Sequence, residues 1–281
     1  MLDDVVGCLA CPVCGAALVR AAGALRCAAG HSFDIARQGY VSLLPAGSKA
    51  AGDTASMVAA RAGFLAAGHY AGLAGELAGL AAGLARELPG GCVADVGAGT
   101  GYYLAAVLGE LPGRAGLAVD ASRFALRRAA RAHPRIGAVA ADAWARLPVA
   151  DGAAALALNV FAPRSGAELA RILRPGGALL VVTPDTAHLA ELAGPLRLVS
   201  VDPRKDERLA AKLGPYFGLT ARHRYRTALT LGHKDIEAAV AMGPSAWHAD
   251  AATAASRVAD LPDSLTVTVS VTMSVFRPAT R

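Results

Sequence analysis

Residues Val93–Leu108 read VADVGAGTGYYLAAVL, and the fold follows from how they are parsed. Val93-Ala94-Asp95-Val96 is a short apolar run with β-branched residues and one acid, the pattern of a strand buried on both faces. Gly97-Ala98-Gly99-Thr100-Gly101 follows, then a helical pattern with Leu104, Val107, Leu108 and Leu111 on one face. Glycine lacks a Cβ, so such a loop turns sharply and lets a ligand approach the backbone. The amides at the start of the next helix face that loop. Strand, glycine loop and helix together open a dinucleotide-type α/β fold.

The loop's details narrow the ligand. A nicotinamide-dinucleotide fingerprint places its third glycine at position 102, where this chain has Tyr102. A phosphate cradle carries a Lys-Ser or Lys-Thr pair after the loop, and none is present. What stands is G-x-G-x-G preceded by Asp95, which resembles the first motif of class I S-adenosylmethionine-dependent methyltransferases. Further on, Gly116-Leu117-Ala118-Val119-Asp120 ends in an acid about twenty residues past the glycines, where such folds accept hydrogen bonds from ribose hydroxyls. Asp95, Gly97, Gly99 and Asp120 are therefore expected in the cofactor site.

The 281 residues suffice for one large domain and a small appendage. A hydrophobic content of 54% and a mean hydropathy of +0.40 are membrane-like, but alanine supplies much of it. No apolar run reaches the ~18 residues of a spanning helix. The amino terminus, MLDDVVGCLACP, starts acidic and lacks the basic-then-apolar order of a signal peptide, so a cytoplasmic location with reduced thiols is expected. A net charge of +6 suits a polyanionic partner without demanding one. Arg123, Arg127, Arg128 and Arg131 fall on one predicted helix with Arg135 just beyond, and Arg222, Arg224 and Arg226 alternate as on one face of a strand. Each cluster reads equally well as a solvated surface.

Four of the five cysteines lie in residues 1–45. Cys11-Pro12-Val13-Cys14-Gly15 is a metal knuckle, followed by Cys27 and His31, a donor set and spacing that fit tetrahedral zinc. Cys8 is also two residues from Cys11, but Pro12 and Gly15 suit the knuckle turn and favour Cys11 with Cys14. Leu18 and Leu25 lie on the arms of a hairpin, and a module this small needs its metal in order to fold. Residues 1–45 are expected to form a zinc-binding module and residues 46–281 a methyltransferase domain, with Phe33–Pro45 as connecting chain.

Helices are expected from Asp53 or Thr54, with Met57, Phe64 and Leu65 on one face, and from about Ala71 to Leu88. Beyond the glycine loop strands fall at 116–120, 136–141, 154–161 and 178–183, with helices at 122–132, 164–173 and 186–193. That alternation indicates a parallel sheet covered by helices on both faces. Asp142 and Asn159 sit at the carboxyl ends of their strands, where ligands bind in such sheets. Arg174-Pro175-Gly176-Gly177 reads as a turn. A helix over 203–214, a strand over 219–231, a short helix at 233–242 and a strand at 265–271 complete the pattern.

In this order the pieces resemble the guanine-N1 methyltransferases of 23S ribosomal RNA over nearly the whole chain. The resemblance rests on CPVCG with Cys27 and His31, FDIARQGYVSLLP, RAGFLAAGHY, DVGAGTGYY, LNVFAP, VVTPDTAHL and AMGPSAW. DTASMVAARA, LNVFAPR and AMGPSAWH are most similar to the branch conferring resistance to tylosin-like macrolides. The resemblance implies a class I, Rossmann-like methyltransferase domain with a mostly parallel seven-stranded sheet behind the zinc module. It also implies S-adenosylmethionine and zinc as cofactors, 23S ribosomal RNA as partner and a homodimer with an RNA-sized cleft. Tyr70, Thr100, Gly101 and His188 would then contact S-adenosylmethionine.

Methylation of guanine N1 requires removal of its proton, for which Asp53, Asp142, Asp185 and His188 are candidates, and the sequence does not choose among them. Two rivals remain at this point. A small-molecule methyltransferase with a structural zinc module would share every cofactor residue and differ in its partner. A zinc-bearing RNA-binding protein without catalysis would not need the intact set Asp95, Gly97, Gly99, Gly101 and Asp120.

Overall fold

The computed structural model describes residues 2–279 except 46, 49, 51, 199 and 244–250, and except the side chains of 251, 252 and 254. Most of AMGPSAW, Trp247 included, lies outside the described residues.

A four-residue helix α1 (Leu2–Val5) and a 3-10 turn lead into an antiparallel sheet of β1 (Leu18–Ala21), β2 (Ala24–Cys27) and β3 (Ser32–Asp34). The expected hairpin is β1–β2, with Leu18 opposite Cys27. β4 (Tyr40–Ser42) comes next, then α2 (Ala55–Ala66) and α3 (Ala71–Leu84). Of the two cap candidates Thr54 starts α2, its hydroxyl accepting from the Met57 amide at 3.3 Å. The central run is β5 (Cys92–Val96), α4 (Tyr102–Glu110), β6 (Gly116–Asp120), α5 (Arg123–Ala132), β7 (Ile136–Ala140), β8 (Ala154–Val160), α6 (Gly166–Ile172) and β9 (Leu173–Pro184). The chain continues through α7 (Ala190–Leu196), α8 (Lys205–Leu213), β10 (Phe217–Gly232), α9 (His233–Ala241), α10 (Ala251–Ala259) and β11 (Ser264–Pro278).

The large sheet runs β10-β11-β9-β8-β5-β6-β7-β4. From β9 to β4 all neighbours are parallel, and β11 inserts antiparallel between β9 and β10. The seven expected strands are joined by an eighth. Tyr40–Ser42, read as connecting chain, adds in parallel to β7, Tyr40 opposite Ala138. Three residues with one buried side chain, Val41, are too short for alternation to show. The expected turn at Arg174–Gly177 falls inside the bounds of β9 as an excursion from the ladder: Leu173 is opposite Ala154 and Ala178 opposite Leu156, with Gly176 at φ +77°. α10 was not anticipated: apolar residues recur there at helical spacing, but all except Val258 are alanine, a weak apolar signal.

Successive strand residues point to opposite layers. Val93, Leu156 and Leu158 pack with Leu77 of α3, Leu104 of α4 and Leu126 of α5. Ala94, Val96, Leu117 and Val119 pack with Leu169 of α6, Leu209 of α8 and the zinc module's Leu9, Leu18 and Leu25. The module therefore serves as part of the second layer, and it is pinned by Ala10 N donating to Pro148 O at 3.1 Å and Ala150 N donating to Cys8 O at 2.9 Å. Among the described residues no helix is long and apolar enough to cross a membrane.

Candidate active site and metal centre

At the carboxyl ends of β5, β6, β7, β8 and β9 the sheet opens into a cleft of about 1530 Å³. Order reverses there between β5 and its neighbours β6 and β8, the switch point where open α/β sheets take ligands.

Tight packing shapes the glycine loop. Gly97 has φ +81°, and a Cβ on it would come 2.3 Å from that of Ala162. Gly101 has φ +77°, and a Cβ there would reach 2.9 Å from Ala129 Cα on α5. Side chains at either position would combine strain with a clash. Asp120 holds the loop by accepting from the Gly99 amide and, with its other oxygen, from the Ser122 amide, both at 2.8 Å.

Asp95 is 1% exposed, and its Oδ1 is buried without a partner among the described residues. Burial, with the Asp120 charge nearby, pushes its pKa up to about 8. A buried acid with an orphaned oxygen facing a cleft is poised for a cation or a hydrogen-bond donor. This arrangement fits S-adenosylmethionine. Asp95 suits its ammonium end, Asp120 its ribose hydroxyls and the glycine loop a close approach of the backbone, and the loop carries no lysine for a phosphate.

Eight of the ten expected cofactor residues line the cleft: Tyr70, Asp95, Gly97, Gly99, Thr100, Asp120, Asp142 and His188. Gly101 and Asn159 stand behind the lining. Gly101 caps α4 against α5. Asn159 is wholly buried; its amide donates to Val96 O at 3.0 Å and Pro163 O at 2.9 Å, and its oxygen accepts from Arg164 Nε at 2.6 Å. It ties the end of β8 to that of β5 and so shapes the cleft from outside.

Of the candidate bases, Asp53, Asp142 and His188 line the cleft. Asp53 is ion-paired with Arg61, while Asp142 accepts from Trp144 N at 2.9 Å through one oxygen. Asp185 does not line it, and its oxygens accept from Ser270 Oγ at 2.6 Å and Ala187 N at 2.9 Å. Burial depresses His188 to about 4, so it is neutral at pH 7.

Several cleft residues escaped the sequence reading. Phe161 is 39% exposed and holds φ +52°, a conformation costly for a non-glycine residue and concentrated at functional sites. Its ring lies 5.8 Å from His188, 6.4 Å from Tyr70 and 6.3 Å from Tyr103. Trp144 stands 64% exposed at the rim with Lys212 Nζ 5.2 Å from its ring centre. An aromatic as the last residue of the expected strand 154–161 was the available signal for Phe161. Arg61, which donates to Met242 O at 2.7 Å, gave none.

On the module's outer edge Cys11, Cys14, Cys27 and His31 bring their ligand atoms within 4.8 Å of one another. Cys14 and Cys27 sulfurs are 3.7 Å apart, and His31 Nδ1 lies 3.6 Å from Cys11 Sγ and 3.3 Å from Cys27 Sγ. Tetrahedral zinc with bonds of about 2.3 Å has edges of roughly 3.8 Å, so the four atoms fit it. Gly15 at φ +74° and Gly30 at φ +86° make the two knuckle turns. Cys8 takes no part. It turns to Cys92, whose hydrogen bond lowers its thiol to about 7.

Fold and cleft define a class I methyltransferase behind a zinc ribbon. Residues 9–51 match the zinc-ribbon family described as "RlmA, N-terminal". The 23S rRNA (guanine(748)-N(1))-methyltransferase of Streptomyces fradiae is 52% identical over 278 residues, 99% of each chain. A Micromonospora griseorubida relative is 51% identical over 99% of this chain and 100% of its own. The chain belongs to the 23S rRNA (guanine-N1)-methyltransferase family, whose cofactors here are S-adenosylmethionine and ribbon-held zinc. The crystal structure of MccD protein matches with a TM-score of 0.50 at 13% identity, over 73% of this chain and 96% of that one, a likeness of fold alone.

Proposed function

We propose that this protein methylates N1 of a guanine in a hairpin loop of 23S ribosomal RNA, the counterpart of the position named for the Streptomyces fradiae enzyme, and so lowers sensitivity to tylosin-like macrolides. The reading includes a homodimer working in the cytoplasm, with residues 1–45 as RNA-recognition module and 46–281 as methyltransferase domain. What carries it is end-to-end identity of 52% with that enzyme, zinc ribbon included. A small-molecule enzyme has no need of the ribbon.

S-adenosylmethionine supplies an activated methyl group, so the chain's task is alignment and exclusion of water. Asp95 would hold the amino group, Asp120 the ribose, and Asp142 the far end of the cofactor. Tyr70, Thr100 and His188 would complete the contacts, with Gly101 and Asn159 setting the loop and strand ends. A guanine already unpaired in a loop enters the cleft without much of the cost of leaving a duplex.

Expression in a sensitive host, followed by reverse transcription of its ribosomal RNA, tests the reading. Methylation at N1 removes a Watson–Crick donor, so a new stop is expected at one guanine, together with raised tylosin tolerance. Soluble, cofactor-binding protein that leaves every guanine unmodified would overturn it. Sedimentation of the intact chain at micromolar concentration reads the dimer.

A further inference from the structure

On the outer side of α2, away from the cleft, a groove of about 540 Å³ runs between α2 and α5. Ala55 and Val58 form one wall, Phe124 lies in it, and Arg127, Arg128 and Arg131 form the other. Among the described residues no carboxylate lies within ion-pair distance of Arg123, Arg127, Arg128 or Arg131. Other arginines are engaged: Arg61 with Asp53, Arg171 with Glu168, Arg208 with Asp202 and Arg277 with Glu87. Arg135 is also spoken for, donating to Leu111 O at 2.7 Å and Arg114 O at 2.5 Å. Buried Arg127 Nε has no hydrogen-bond partner among the described residues. Arg123 and Arg127 flank the Phe124 ring, their guanidinium carbons 5.0 and 5.7 Å from its centre.

Like charges four residues apart repel along a helix, so α5 keeps this face at a cost to itself. Planar guanidinium forks match phosphate oxygens in pairs, and the ring preorganises two of them. Asp53, Met57 and Arg61 line the cofactor cleft, while Ala55 and Val58 line the groove, so the first turns of α2 are a shared wall. A helix is about 10–12 Å across, a distance that a few nucleotides of backbone cover. Gly39, next to β4, lies against Ala130 on α5, so the groove's own helix also abuts the end of the zinc module.

We propose that the α2–α5 groove grips the phosphate backbone of the substrate RNA while the target base occupies the cleft. This rests on the ribosomal reading, and the experiment separates the two. Full-length protein is titrated with an unmodified 23S ribosomal RNA transcript across a salt series, and methylation kinetics are measured on the same transcript. Replacing Arg127→Ala, Arg128→Ala and Arg131→Ala together should reduce the slope of log affinity against log salt by about 2–3. The RNA KM should rise at least roughly tenfold, with kcat at saturating RNA and affinity for S-adenosylmethionine within about twofold of the parent. The corresponding lysine triple variant should keep most of the slope. Removing Arg222, Arg224 and Arg226 from β10 should change it by less than about 1. An unaltered slope and KM in the alanine variant, or an equal loss in the β10 variant, overturns the groove as the RNA grip. Failure of the parent protein to bind or methylate the transcript sinks the ribosomal reading itself.

Discussion

The Tyr70 hydroxyl and His188 Nε2 lie 3.2 Å apart, and a third group fixes which of them donates. The Ser270 amide donates to His188 Nδ1 at 3.3 Å, so that nitrogen carries no proton. A neutral imidazole then has its hydrogen on Nε2 and gives it to Tyr70. The phenol proton is left free to reach a ligand in the cleft. Tyr70→Phe should therefore weaken S-adenosylmethionine binding by about 0.5–1.5 kcal/mol with little change in thermal stability, as calorimetric titration would show. Unaltered affinity would make Tyr70 a packing residue only.

The same histidine predicts an acid-sensitive fold. His188 titrates near 4 when folded, below its usual 6.5. Its contribution is intact above about pH 6.5 and is lost as pH falls toward 4, because the unfolded chain binds the proton first. His188→Gln should flatten the decline in denaturation midpoint between those values. A parallel decline in both proteins would assign it elsewhere.

Asp95 works in the opposite sense. With a folded pKa of about 8, it is mostly protonated at pH 7 in the free protein. Binding a cationic amino group calls for the carboxylate, so binding releases a proton, and affinity for S-adenosylmethionine should rise roughly tenfold from pH 6.5 to 8. The ligand-free protein should lose stability over the range from about 4 to 8, since the unfolded acid ionises first. Asp95→Asn should remove both slopes and most of the affinity. Isothermal titration in buffers of different ionisation enthalpy counts the proton directly.

Asp120→Ala removes an acceptor for ribose hydroxyls and also frees the Gly99 and Ser122 amides that it now holds. Cofactor affinity should fall by about 1.5–3 kcal/mol. Hydrogen exchange should quicken in the glycine loop while the sheet stays protected. Quickened exchange with full affinity would leave Asp120 a loop brace and nothing more.

Metal analysis should find one zinc per chain. Cys27→Ser should lose it, whereas Cys8→Ser should retain it, because Cys8 is turned toward Cys92. Chelation should unprotect the ribbon's amides between Leu9 and Asp34 before those of the large sheet, since the small sheet buries little of its own. Reduced zinc in Cys8→Ser would mean that the ligand set is wrong.

Local patterns determined much of this molecule. The buried strand Val93–Val96, its glycine loop and the acid at Asp120 are legible because backbone geometry imposes residue types at fixed short spacings. The zinc knuckle is legible for the same reason: four donors must surround one ion, and glycines must turn the chain. What the sequence could not decide lies wherever distant segments meet. Tyr40–Ser42 became a strand because β7 had an open edge for it, which three residues do not announce. Asn159 and Gly101 fell at strand and helix ends, as expected, but only packing turned Asn159 inward to hold Val96 and Pro163 and set Gly101 against α5. Phe161 entered the cleft, and α5's arginines came to face α2, through three-dimensional closure of the fold. Short-range rules fix which elements form; the burial of their apolar faces against one another fixes which side chains meet.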